Sequence, residues 1–207
     1  MFALKLIAAL AAGYLLGSIS SAVLLTHTRF GDIRDKGSGN AGATNVARSY
    51  GIWMGLLTLL LDGIKTALAM WLGTLLAGEL GASLGAAACL IGHCWPLYFR
   101  FKGGKGVSVA GAIAVWLDWR LILILIAVFL ILAFVSKRVS VGSLSAGLAY
   151  PFAMLLLGGF DWHQLALGFL ILALVFFTHR ENIKRIIAGT EPVFRAGRSR
   201  KPLRSSP

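Results

Sequence analysis

Apolar residues in this 207-residue chain fall in long unbroken runs, without the alternation or one-faced spacing of a soluble fold. Six runs, residues 3–26, 52–78, 82–97, 121–135, 143–157 and 164–178, read as membrane helices. A seventh, residues 106–117, has only 12 residues. At 1.5 Å per residue it would reach roughly 18 Å, short of a ~30 Å hydrocarbon core. It predicts a partial span, entered from a non-helical segment buried in protein. The pattern therefore predicts an all-α, polytopic integral membrane protein of about seven transmembrane helices, one of them short. No repeat or soluble domain interrupts it. Residues 1–207 read as a single membrane domain whose last part, residues 192–207, is a basic tail.

Composition narrows the class. With 57% hydrophobic and 14% charged residues the chain is too apolar to stay disordered, and two cysteines cannot make a disulfide scaffold. The formal net charge of +12 would suggest nucleic acid in a soluble protein. Its distribution says otherwise. When the connections are assigned to alternate sides, 17 of the 20 Lys and Arg residues fall on one side, in segments 28–51, 99–105, 136–142 and the tail from His179. The positive-inside rule then places the N-terminus outside and the C-terminus in the cytoplasm, with no nucleic-acid partner required. The first run reads as a retained span. Cleaving it as a leader after Ser20-Ser21-Ala22 would release the basic loop on the wrong side.

Three polar segments on the basic side could carry chemistry. In the first, Gly37-Ser38-Gly39-Asn40-Ala41-Gly42-Ala43-Thr44-Asn45 runs on to Arg48. Its G-x-G-x-x-G opening lacks the preceding apolar strand of a dinucleotide site. Small residues still let backbone N–H groups approach an anion. Ser38, Asn40, Thr44 and Asn45 add neutral hydrogen-bonding groups, and Arg48 adds a bidentate phosphate clamp.

The second segment runs from Gly92-His93-Cys94-Trp95-Pro96 to Phe101-Lys102-Gly103-Gly104-Lys105-Gly106. It is not a Walker A loop, because no glycine stands five residues before Gly104 and no Ser or Thr follows Lys105. Gly103, Gly104 and Gly106 around Lys105, just before a helix, nevertheless form an anion hole of free N–H groups with a point charge. Topology alone requires the charge but not three glycines. The third segment is His179-Arg180-Glu181-Asn182-Ile183-Lys184-Arg185, ending in Gly189-Thr190-Glu191. His179 and Asn182 are three apart and share a helical face.

Other polar residues have plainer expectations. Asp62 and Lys65, three apart in mid-span, read as a mutual pair. Ser143 and Ser145 read as helix caps or as donors into the site. His93 is expected to bond to backbone, beside two reduced thiols, Cys89 and Cys94. No ligand set for a metal is visible, and none is expected.

Together GSGNAGATNVAR (37–48), GHCWPLYFRFKGGKG (92–106) and HRENIKRIIAGTE (179–191) resemble the PlsY family of bacterial membrane acyl-phosphate:glycerol-3-phosphate acyltransferases. The resemblance follows family order over nearly the whole chain. It departs at Ser20, where the family commonly has proline. It implies a seven-helix, multi-pass enzyme of the bacterial cytoplasmic (inner) membrane with its site facing the cytoplasm. The reaction implied is transfer of a fatty acyl group from acyl phosphate to glycerol 3-phosphate, giving lysophosphatidate and phosphate. That is the first acylation of phospholipid biosynthesis. No cofactor is implied. The implied partners are the two substrates, membrane lipids and the enzyme that makes acyl phosphate.

On this basis Ser38, Asn40, Thr44, Asn45, Arg48, His179 and Asn182 are expected to bind glycerol 3-phosphate. Gly103, Gly104, Lys105, Gly106, Ser143 and Ser145 are expected to bind acyl phosphate. His179, Lys105, Ser38 and Asn182 are expected to act in catalysis, with either His179 or the donor phosphate taking the proton. The competing class is a transporter of an organic phosphate. Transporters place their site near the midplane between repeated halves, and here the polar segments cluster at one face.

Overall fold

The computed structural model describes residues 1–193, and every regular element among them is helical. In chain order these are α1 (Phe2–Gly17), α2 (Ser21–Phe30), α3 (Ala43–Tyr50), α4 (Ile52–Cys94), α5 (Val107–Leu117), α6 (Trp119–Ser136), α7 (Val139–Leu157), α8 (Trp162–Thr178) and α9 (Arg180–Ile187). Most of the tail expected at 192–207 lies outside the described residues. Four helical stretches are long and apolar enough to cross a membrane, or five when the bent pair α8 and α9 is taken as one.

One of those stretches contains α4, which is a hairpin. At Ala77 (φ −150°, ψ 29°) and Gly78 (φ 63°, ψ −150°) the backbone leaves the helical region and reverses. A left-handed φ strains any residue with a Cβ, so glycine suits the reversal. The arms then close on small residues. A Cβ on Gly73 would overlap the carbonyl of Gly81, and one on Gly85 would press on that of Ala69. The sequence runs 52–78 and 82–97 are thus the two arms. Helix α1 lies along the second arm in the same way, Gly13 against Gly85 and Gly17 against Cys89. Helices cannot be driven together in lipid by the hydrophobic effect, so close backbone approach supplies the contact.

The first run is not continuous. Helix α1 stops at Gly17 and α2 starts at Ser21, with Ser20 extended (φ −85°, ψ 97°). The carbonyls freed by the break do not go unsatisfied. Lys65 Nζ, reaching from the first arm of α4, donates to Gly17 O at 3.3 Å and to Ile19 O at 2.8 Å. The break therefore persists with serine at the position where the family commonly carries proline.

Helices α5 to α8 complete the bundle. Their buried side chains, among them Ile113, Leu121, Met154, Ile171 and Val175, pack with Leu90 and Cys89 of α4 into one core. Helix α5 is as short as its apolar run and has 11 residues. The Tyr150 hydroxyl of α7 donates to Ala110 O at 3.3 Å, holding α5 inside the bundle. Helix α7 begins at Val139, so Ser143 and Ser145 lie within it and cap nothing. The outer surface carries large exposed apolar residues such as Leu60, Leu130 and Leu156, as a bilayer-embedded protein requires.

Gly85→Leu is expected to lower unfolding stability in detergent by about 1–3 kcal/mol through overpacking against α1 and the first arm of α4. Leu60→Ala on the exposed face should stay within about 0.5 kcal/mol. Thermal unfolding of the two variants checks this.

Candidate functional site

Helix α3 and the loop before it are organised by one side chain. Asn45, nearly fully buried, donates from Nδ2 to Ile33 O (3.2 Å), Lys36 O (2.9 Å) and Asn40 O (3.0 Å), and its Oδ1 accepts from Ser38 N (2.9 Å). Its amide is occupied by loop backbone. Of the residues expected to meet substrate in this segment, Asn45 is the one the structure uses as scaffold, and Ser38 and Thr44 are left exposed. Arg48, half-buried on the last turn of α3, has no ion pair or hydrogen bond among the described residues. Arg34 closes the outer side of the loop by donating to Asp32 and to Phe99 O (2.9 Å).

The second and third segments meet directly. Lys105 donates from Nζ to Asn182 Oδ1, and Thr178 Oγ lies 3.0 Å from Lys105 O. Asn182 donates in turn to Glu191 Oε1 (2.7 Å), and Glu191 Oε2 accepts from Arg185 Nε (2.8 Å). The backbone carbonyl of Glu191 accepts from Arg138 Nε at 3.2 Å, tying in the α6–α7 turn. Glu191 ended the third segment in the sequence without a role. Its signal there was weak: one carboxylate among basic residues. Helix α9 bends by 58° from α8 at His179, and that bend brings Asn182 and Glu191 over Lys105.

Charge is concentrated here. Burial pushes Lys105 down to about 8, with the nearby charges of Arg185 and Arg48 adding to the effect and Glu191 opposing it. The first segment meets the second through Arg34, which donates to Phe99 O (2.9 Å). Burial, reinforced by the Lys105 charge, pushes His179 down to about 4, so the ring is neutral at pH 7. His179 Nδ1 lies 2.8 Å from Val175 O. A carbonyl only accepts, so Nδ1 carries the proton and Nε2 keeps its lone pair. Among the described residues no carboxylate bonds to His179, and Asp62 faces His93, Ser21 and Ser108.

Other expected residues fall as follows. Gly104 and Gly106 are buried and Gly103 is half-buried. Gly106 has φ 83° at the start of α5. The Ser143 hydroxyl donates back to Val139 O (3.1 Å), and Ser145, two residues further along α7, is half-buried. On α7, Ser140 Oγ is buried with no hydrogen-bond partner among the described residues. His93 bonds to Lys65 Nζ through its ring, not to backbone as the sequence suggested. Cys89 and Cys94 are free and buried. A polar cavity of about 390 Å³ opens beside the site, lined by Arg34, Gly39, Arg100, Lys102 and Gly103 among others.

Fold and site together define an integral membrane protein with buried and half-buried cations gathered at one end of its helical bundle. The sequence profile of the family described as glycerol-3-phosphate acyltransferase matches residues 7–189. Relatives named glycerol-3-phosphate acyltransferase include one from Carboxydothermus hydrogenoformans, 38% identical over 179 residues, covering 86% of this chain and 91% of that protein. Another, from Mesorhizobium japonicum, is 40% identical over 188 residues, covering 90% and 94%. Among solved structures, the crystal structure of PlsY (YgiH), an integral membrane glycerol 3-phosphate acyltransferase, in its glycerol 3-phosphate form has a TM-score of 0.84 and 32% identity, covering 92% of this chain and 96% of that one. Its lysophosphatidic acid form has a TM-score of 0.82. The chain belongs to the glycerol-3-phosphate acyltransferase family. It is a membrane acyltransferase that acylates glycerol 3-phosphate in phospholipid synthesis, and a transporter is not favoured.

If the Lys105 ammonium holds an anionic substrate, kcat/KM for acyl transfer should fall as pH rises above about 8, where that group loses its proton in the free enzyme. In Lys105→Arg the guanidinium stays charged. The variant is expected to be less active at pH 7 but to lose the alkaline limb, as a pH–rate series will show.

Proposed function

We propose that the acyl donor is acyl phosphate, and that transfer takes place at the cytoplasmic face of a bacterial inner membrane. In this reading the whole chain is one membrane domain of seven spans, α5 being the partial one, with its N-terminus outside and C-terminus inside. The one-sided distribution of basic residues supports that orientation. The observation that carries the chemistry is the meeting of Lys105 with Asn182, within reach of Arg48's charge and beside a neutral His179. Two phosphate-bearing substrates require several cations or N–H donors in one place, and a fatty chain requires that place to border lipid.

Residues Gly103, Gly104 and Gly106 offer backbone N–H groups, and Lys105 a charge, to the acyl-phosphate headgroup and to the oxyanion that forms at its carbonyl. Ser145, on the neighbouring α7, is a donor toward the same ligand, and Ser143 becomes one when its hydroxyl turns away from Val139 O. Arg48 and Ser38 take the phosphate of glycerol 3-phosphate, with Asn40 and Thr44 at the loop edge. Asn45 contributes by holding that loop, and Asn182 by holding Lys105.

Nε2 of His179 accepts a hydrogen bond from the first hydroxyl of glycerol 3-phosphate and aims it. The hydroxyl oxygen forms a bond to the acyl carbonyl carbon, and the bond from that carbon to the phosphate oxygen breaks. The departing phosphate carries away the hydroxyl proton. A ring lowered to about 4 is a poor base at neutral pH, which favours the phosphate for that task. An acyl phosphate is already activated, so positioning and electrostatics suffice and no acyl-enzyme on Ser38 is needed.

Purified protein given glycerol 3-phosphate with acyl phosphate, acyl-CoA or acyl-carrier protein is expected to form lysophosphatidate from acyl phosphate alone. Product from the thioesters and none from acyl phosphate would overturn the donor assignment. In His179→Asn the pH profile of kcat should keep the wild-type shape at reduced height. Loss of a limb would instead make His179 the base.

A further inference from the structure

Inside the bundle, Asp62 and Lys65 are 1% and 5% exposed, and neither has a part in the chemistry above. A buried ion pair by itself does little for stability. This one is extended by hydrogen bonds. Asp62 Oδ1 forms an ion pair with Lys65 Nζ (2.9 Å) and accepts from Ser21 Oγ (2.9 Å), while Oδ2 accepts from Ser108 Oγ (2.6 Å). Lys65 Nζ, besides the carbonyls of Gly17 and Ile19, lies 3.1 Å from His93 Nδ1. An ammonium only donates, so Nδ1 is the accepting nitrogen and Nε2 the one that bears hydrogen.

His93 in turn touches the glycine loop. Its carbonyl accepts from Gly104 N at 3.0 Å. Its ring lies so close to Gly104 that a Cβ there would overlap Nε2, and a Cβ on Gly103 would overlap the His93 carbonyl. The cluster thus grips the loop at both ends, through His93 at Gly103-Gly104 and through Ser108 on the first turn of α5.

We propose that Asp62, Lys65 and His93 are positioning residues for acyl transfer: they hold the backbone of Gly103-Gly104-Lys105 in the geometry that receives the acyl donor, without touching substrate themselves. Two glycines in succession leave this backbone with more freedom than any other residue type would. Oxyanion donors must stand 2.7–3.1 Å from a developing charge. An outside brace resolves that conflict, and a displacement of about 1 Å would lower the rate roughly 100-fold. The proposal rests on the assignment of this loop to the acyl donor.

Two substitutions at one position separate positioning from substrate contact. In His93→Asn, the amide oxygen stands near the place of Nδ1 and can still accept from Lys65. In His93→Gln, the amide reaches toward the place of Nε2. Asn is expected to keep kcat within about fivefold of wild type. Gln is expected to lose about 100-fold in kcat with the KM for glycerol 3-phosphate little changed. Amide hydrogen exchange in the peptide covering residues 102–106 should quicken in Gln and not in Asn. The double variant Asp62→Asn/Lys65→Met leaves no uncompensated charge. It should fold, yet show the same fast exchange and low kcat.

The reverse ranking, Gln active and Asn inactive, would make Nε2 a substrate contact and overturn the proposal. So would wild-type exchange and turnover in the double variant. If the wild type makes no product from acyl phosphate, the donor assignment fails by itself. The exchange measurement still decides whether the brace exists.

Discussion

The Asp62–Lys65 pair, placed where water does not reach, is the constraint on which the other helices depend. Either charge alone in a span would cost about 2.5–3.5 kcal/mol on insertion scales. The pair is accommodated only because other elements come to it. The break between α1 and α2 turns two carbonyls toward Lys65, α2 brings Ser21, α5 brings Ser108 and the second arm of α4 brings His93. Broken helices are tolerated at membrane depth when their freed backbone groups find partners inside the protein. Here the partner is an ammonium, so the interruption of the first span and the charge in the first arm of α4 explain each other.

A second consequence of burial appears at the site. Lys105 and His179 are both pushed down, to about 8 and about 4, because both are withdrawn from water beside other cations. Positive charge withdrawn from water favours a negative partner. Glu191 offsets part of that charge, but its oxygens are occupied by Asn182 and Arg185. In the proposed reading, a substrate phosphate meets Arg48 and Lys105 without competition from that carboxylate. Small residues serve the same end from outside: Gly13, Gly85 and Gly92 bring α1 and α4 close enough for Lys65 to span the gap.

Much of this was legible along the chain, and the exceptions share a cause. Hydropathy marked the apolar helices, including the reversal near Gly78 and the shortness of α5, because lipid burial is read residue by residue; the short polar helices α3 and α9 gave it no signal. It missed the break at 18–20, because that depends on a side chain more than forty residues away. Arg48 and Lys105 stood out as cations beside glycines. Asn45 stood among the same polar residues, and nothing in its surroundings distinguished a scaffold from a ligand. His93 was read as a backbone-bonded histidine, since its true partner, Lys65, lies across the hairpin of α4.

By itself the sequence determined the class: an all-helical membrane protein, the one-sided spread of its basic residues over alternate connections, three polar segments suited to anion chemistry and the family those segments resemble. These follow from local composition and spacing, which need no partner. Tertiary structure alone decided which residues are instruments and which are supports. It set Asn45 to tie a loop, Glu191 to hold Asn182 against Lys105, and Asp62 with Lys65 to hold His93. Each of those roles is a polar contact from one side chain to backbone or to another side chain, whose worth depends on burial and on angles that spacing along the chain does not encode.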